Sequence, residues 1–165
     1  MKMKILFAVF IFLSAKVIAQ CDVTERMMAD GTMYYHGELL LFYKTSEFQL
    51  SGNIVTDKEN FFLRLRPFPF PEKPKGTKLK DDLVVKLAND TTYILKAYDM
   101  RYTDRDTGFT MIYIFDKKDI EPFVRNEVVE VKLNLGAEPK AYVFRLHKDA
   151  IRTQINCFTQ KKNNL

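Results

Sequence analysis

The sequence predicts an α+β domain dominated by antiparallel strands, a single sandwich or half-open barrel with a short helix near 117–125 and a C-terminal helix near 149–158. Three patterns predict it. Leu83, Val85 and Leu87 alternate on one arm, Tyr93, Leu95 and Ala97 on the next, with Asn89-Asp90 between them. Both turn residues tolerate positive φ, so the stretch reads as a hairpin with a two-residue type I′ turn. Val129, Val131, Leu133 and Leu135 alternate with Glu130, Lys132 and Asn134, the period-2 mark of a half-buried strand. Helical spacing of apolar residues is confined to two short runs, Ile120/Phe123/Val124 and Ile151/Ile155/Phe158.

Taken in order, the chain opens with a leader. Two lysines precede an apolar run from Ile5 to Leu13, and Val17-Ile18-Ala19 places small residues at the −3 and −1 positions of a cleavage site. That order predicts a secretory signal peptide over residues 1–19. Nine apolar residues are too few for a membrane anchor, which needs about 20. Cys21 raises lipidation as a second possibility, but Gln20 stands where the bacterial pattern wants a small residue. Cleavage after Ala19 leaves 146 residues in one domain, 20–158, with a polar tail, 159–165, expected to fray.

Cleavage also removes Lys2, Lys4 and Lys16, which takes the formal charge from +5 to +2. The net charge therefore gives no support for a nucleic-acid or anionic-membrane partner. No transmembrane segment is expected in the mature chain. Export carries Cys21 and Cys157 into an oxidising compartment, and a Cys21–Cys157 disulfide is favoured over two free thiols.

Residues 22–32 are polar and uncommitted, with Thr24 able to cap a turn that holds Met27 and Met28. Strands are expected at Tyr34–Tyr43, Phe48–Ile54 and Phe61–Arg66, separated by turns at Lys44-Thr45-Ser46 and Asp57-Lys58-Glu59-Asn60. In the third, Phe61, Leu63 and Leu65 share one face, and Phe62, Arg64 and Arg66 the other. Pro67–Gly76 holds four prolines and reads as an ordered surface loop. After the central hairpin come a polar loop at Asp99–Gly108, a strand at Phe109–Phe115, and a helix capped by Asp116. The strand at Val129–Leu135 then pairs with Ala141–His147, and the last helix follows from Asp149.

Sites are sparse. Asp99, Asp104 and Asp106 before Gly108 resemble half of a calcium loop, but the remaining acidic positions are missing and Arg105 intervenes, so a solvated hairpin loop is favoured. Asp81-Asp82 and Asp116/Asp119 read as strand and helix starts. His36 and His147 lie on separate strands, and Ser46 and Ser51, the only serines after the leader, sit in no nucleophile motif. No Gly-rich phosphate loop occurs, so no cofactor is expected, with calcium at the Asp99–Asp106 loop as the alternative. Phe68 and Phe70 in the proline-rich stretch offer either a partner-binding edge or a cap folded back on the core.

Three features resemble a group of small exported β-rich domain proteins of Gram-negative bacteria. They are the Cys21-Asp22 start, Gly76 to Leu79 leading into Leu83-Val84-Val85-Lys86-Leu87, and the strand–helix–strand of Tyr113–Leu133 before a helix carrying Cys157. The resemblance covers about half of the mature chain and implies a fold type and export. Asn89-Asp90 departs from the Asp-Gly that such hairpins often carry, and the resemblance brings no activity with it. The expectation is a non-enzymatic periplasmic or secreted domain that binds an unidentified protein or envelope component and no nucleic acid. The alternatives are a small hydrolase or cation-dependent enzyme using the Asp99–Asp106 loop, and an inhibitor or immunity-type partner.

Overall fold

The structure, a computed structural model, describes residues 22–72, 81–103, 107–135 and 139–162. Ten strands and two α-helices run through them. The strands are β1 (Val23–Met27), β2 (Met33–Gly37), β3 (Leu40–Lys44), β4 (Gln49–Thr56), β5 (Phe61–Phe68), β6 (Leu83–Leu87), β7 (Thr92–Tyr102), β8 (Phe109–Ile114), β9 (Val128–Asn134) and β10 (Pro139–Val143). A 3₁₀ turn (Lys117–Asp119) leads into α1 (Ile120–Arg125), and α2 (Ala150–Lys162) follows the last strand. All strand pairs are antiparallel.

The strands form one sheet in the order β1-β2-β4-β5-β8-β7-β6-β9-β10, with β3 also on β4. The sheet curls because β7 changes partner midway. Thr92–Leu95 pair with β6, whereas Lys96–Tyr102 pair with β8 on the other edge. A bulge between Ala97 and Asp99 marks the corner, where Asp82 Oδ1 accepts from the Ala97 N–H at 3.2 Å. A bulge adds a residue to one strand and sharpens its bend.

The curl brings β10 round to β3. The ladder stays open there, but Phe42 O accepts from the Arg145 and Leu146 N–H groups at 3.1 and 3.2 Å. Phe42 stacks on Phe144 at 4.5 Å, and Tyr43 meets Tyr142 edge-on at 5.3 Å. Of the two architectures the sequence allows, the half-open barrel is the one that forms. Its inward positions are filled by Phe42, Leu50, Leu63, Leu65, Met111, Tyr113 and Phe144, all buried. Phe123 of α1 packs on Tyr93 and Phe115 at 5.1 and 4.9 Å, as the helical spacing predicts.

Several boundaries differ from expectation. Residues 23–27 form β1, a strand exposed along most of its length, because β2 supplies the backbone partners that its polar sequence does not advertise. The expected strand 34–43 is two strands, because the chain leaves one partner at Glu38-Leu39 and meets another segment of β4. β5 runs through Pro67, which is buried, to Phe68, so the proline-rich loop begins later. β7 extends to Tyr102 and takes in Asp99. The 83–97 hairpin forms in the expected facing, with Leu83 opposite Leu95 and Val85 opposite Tyr93. Its turn has three residues, though: Asp90 alone takes positive φ, at 65°, and its N–H reaches Leu87 O at 3.0 Å. A three-residue loop needs one left-handed residue where type I′ needs two. β10 spans 139–143 instead of 141–147, since the chain lifts off after Phe144 to approach β3. The last helix continues to Lys162, four residues into the expected tail.

Candidate functional site

Alternation along β5 turns Leu63, Leu65 and Pro67 inward and Phe62, Arg64, Arg66 and Phe68 outward. Strand pairing decides what joins them. Arg64 lies opposite Asn53 of β4 and Ile112 of β8, and Phe62 lies opposite Val55 and Ile114. Through Val55 the outward row continues to His36 of β2 and Thr24 of β1. Arg26 and Tyr34 sit one step along the same face, two residues from Thr24 and His36. On the other side, Arg101 of β7 pairs with Thr110. Four arginines from three strands therefore share one outer face.

Arg64 is the half-buried member. Its Nε donates to Asn53 Oδ1 at 2.7 Å, and Asn53, wholly buried, donates its own amide to Gly37 O at 2.7 Å. That chain fixes the amide orientation and with it the guanidinium. Phe62 is 2% exposed although it points outward, because Tyr98, carried in the β7 bulge, lies 4.9 Å away and Tyr34 6.3 Å. Burial, with Arg66, Arg26 and Arg101 nearby, pushes the Arg64 pKa down to about 10, still charged at neutral pH. Burial also pushes His36 down to about 4, with Arg64 and then Arg26 adding to the effect. The imidazole is neutral at pH 7, and its buried Nδ1 has no hydrogen-bond partner among the described residues.

Acidic compensation is thin. Asp99 pairs with Arg101 at 3.5 Å. Among the described residues, Arg26, Arg64 and Arg66 have no carboxylate within 4 Å. Such a face is suited to holding negative charge on a partner.

No family model, no curated protein and no solved structure matches the chain.

The residues singled out from sequence scatter, apart from two. Phe68, 58% exposed, stands at the far end of the same outward row as Arg66 and Arg64. His36 joins the row from β2. Phe70 separates from Phe68: half-buried, it meets Tyr102 edge-on at 6.3 Å, and the Tyr102 hydroxyl donates to Pro71 O and Glu72 O. Phe70 is thus the cap and Phe68 the projecting ring. Asp104 and Asp106 lie outside the described residues, and Asp99, expected beside them in a loop, is on a strand and ion-paired. Among the described residues no three His, Cys, Asp or Glu side chains converge as metal ligands.

His147, with φ 46°, lies in the turn before α2, away from the strand expected for it. Ser46 is in the β3–β4 turn, and Ser51 Oγ donates to Arg66 O at 3.4 Å. Asp82 pairs with Lys96 besides holding the β7 corner, and Asp116 Oδ1 accepts from the Lys118 N–H at 3.2 Å. Cys21 lies outside the described residues. Cys157, on α2, lines a cavity of about 240 Å³ together with Asp22 and Val23. Arg26 and Arg101 escaped sequence reasoning because nothing local ties them to β5. The available signal was Arg64 and Arg66 on one strand face.

Proposed function

We propose that the protein is an exported, non-enzymatic binding domain of the cell envelope or extracellular space, and that it binds through the arginine face. One observation carries this: Arg64 and Arg66 lie between the Phe62 and Phe68 rings of β5, Arg26 stands on the same outer face beyond Phe62, and among the described residues none of the three has an acidic partner. The barrel interior is filled by its own side chains, which directs recognition to the outside. The leader at residues 1–19 supports export. Placement of Asp22 and Val23 against the cavity of Cys157 supports a Cys21–Cys157 bridge tying the N-terminal strand to α2. The low net charge of the mature chain is compatible with this face, since +2 says nothing about where the charges sit.

Two measurements test the proposal. Intact mass of the exported protein should show cleavage after Ala19, no lipid, and the two-hydrogen deficit of a disulfide. On immobilised heparin, Arg26→Glu/Arg66→Glu should elute at lower salt than Lys44→Glu/Lys148→Glu, a variant of equal net charge altered at exposed lysines elsewhere. Equal elution of the two would show that net charge alone governs retention.

A further inference from the structure

We propose that Arg64 is the centre of a discrete site for a doubly charged tetrahedral oxyanion, a phosphate or sulfate group, either free or carried on a larger molecule. The inference rests on the binding face proposed above and goes further by naming the chemistry it takes.

The argument begins with what holds Arg64. An exposed arginine on a strand samples many rotamers, and ordering it opposes binding. Here Nε is committed to Asn53 Oδ1, whose amide is committed to Gly37 O, so the planar group is already held at one edge. The two terminal nitrogens have no partner among the described residues. Guanidinium terminal N–H groups match a tetrahedral oxyanion in a two-pronged contact.

The surroundings favour an anion over water. Phe62, two residues from Arg64 on the same face of β5, is 2% exposed under Tyr98 and Tyr34, and an ionic contact made beside such an apolar ring is less screened than one in open water. Arg66 stands two residues along the strand, and Arg26 and Arg101 are close enough to disfavour the Arg64 charge. This is an unfavourable arrangement in the free protein, with like charges gathered around a half-buried cation. A bound dianion reverses the sign of each of those interactions. His36, opposite Val55 and Thr24 on the same face, has a pKa held down first by burial and then by the charges of Arg64 and Arg26.

The test is calorimetric titration of the mature protein with inorganic phosphate at constant ionic strength, alongside vesicles of phosphatidylcholine with and without phosphatidic acid. Phosphate binding to the wild type, weakened on the order of 10- to 100-fold in Arg64→Lys, is expected for loss of charge-assisted hydrogen bonds with the charge retained. Binding of phosphatidic-acid vesicles alone, lost in Arg64→Lys, identifies the group as one carried on a lipid. In NMR titrations, the depressed His36 pKa should move up towards its ordinary value of 6.5 on saturation with whichever probe binds. Absence of binding to either probe, or binding indifferent to Arg64→Lys, overturns the site. If heparin retention still depends on Arg26 and Arg66 in that event, the binding face survives and only the discrete site falls. If it does not, both fall together.

Discussion

Gln154 carries the most informative stability prediction. β4 is paired on its outer edge by β3 over residues 49–52 and by β2 at 55–56, which leaves a gap at Asn53-Ile54. Gln154 of α2 closes it: Oε1 accepts from the Ile54 N–H at 2.7 Å, and Nε2 donates to Glu38 O at 2.7 Å. Gln154→Leu keeps the volume and removes both bonds. Ile54 is wholly buried, so its N–H is left without a partner, a loss of about 1–3 kcal/mol. Glu38 is exposed and its bond to Gln154 only part-buried, so that bond is worth roughly 0.5–1.5 kcal/mol net. A total of about 2–4 kcal/mol lowers Tm by roughly 5–12 °C for a chain of this size. Circular dichroism melts of the two proteins measure it.

Gly37 offers an internal check on that reasoning. A Cβ at this position would lie 2.6 Å from Gln154 Cδ, displacing the amide that bridges the gap. Gly37→Ala should therefore cost nearly as much as Gln154→Leu, and close to nothing in a Gln154→Ala background. Such non-additivity is the signature of two residues serving one contact. A Tm fall below about 2 °C for Gln154→Leu, or additive losses in the cycle, would refute the stitch as the element that holds β2 and β3 on β4.

Two other outcomes are expected. The folded His36 pKa lies below its unfolded value, so the unfolded chain takes up the proton first as pH falls from about 6.5 to about 4; stability is full above that window and lost within it. Denaturation midpoints across pH should accordingly fall less steeply for His36→Gln than for the wild type. Phe68→Ala should change stability by less than about 0.5 kcal/mol, as an exposed ring at a strand end, whereas Phe70→Ala should cost about 1–2 kcal/mol through its lost contact with Tyr102; urea titration separates them.

How much of this could be read in advance depends on how far apart the interacting residues lie. The arms of the 83–97 hairpin were legible because both faces of the contact sit within fifteen residues and alternate cleanly. Val128–Asn134 and the Phe123 side of α1 were legible for the same reason. β1 was not, because a strand with mostly exposed side chains exists only through its backbone partner. Nor could Glu38-Leu39 announce a change of partner, since the second partner, β4, is the same strand as the first. Phe68 and Phe70, two residues apart with the same side chain, met different fates because Tyr102, some thirty residues on, packs against Phe70.

The division follows from what each level of organisation constrains. Period-2 and helical patterning, turn chemistry and the apolar leader are properties of adjacent residues, and they determined the strand-rich composition, the facing of the cleanly alternating strands such as β5, β6 and β9, and the expectation of export. The curl of the sheet that brings β10 beside β3, the Gln154 bridge spanning 116 residues to Glu38, and the gathering of Arg26, Arg64, Arg66 and Arg101 on one face depend on which strands become neighbours. That choice is made by the burial of the whole core at once, so only the tertiary structure decided it.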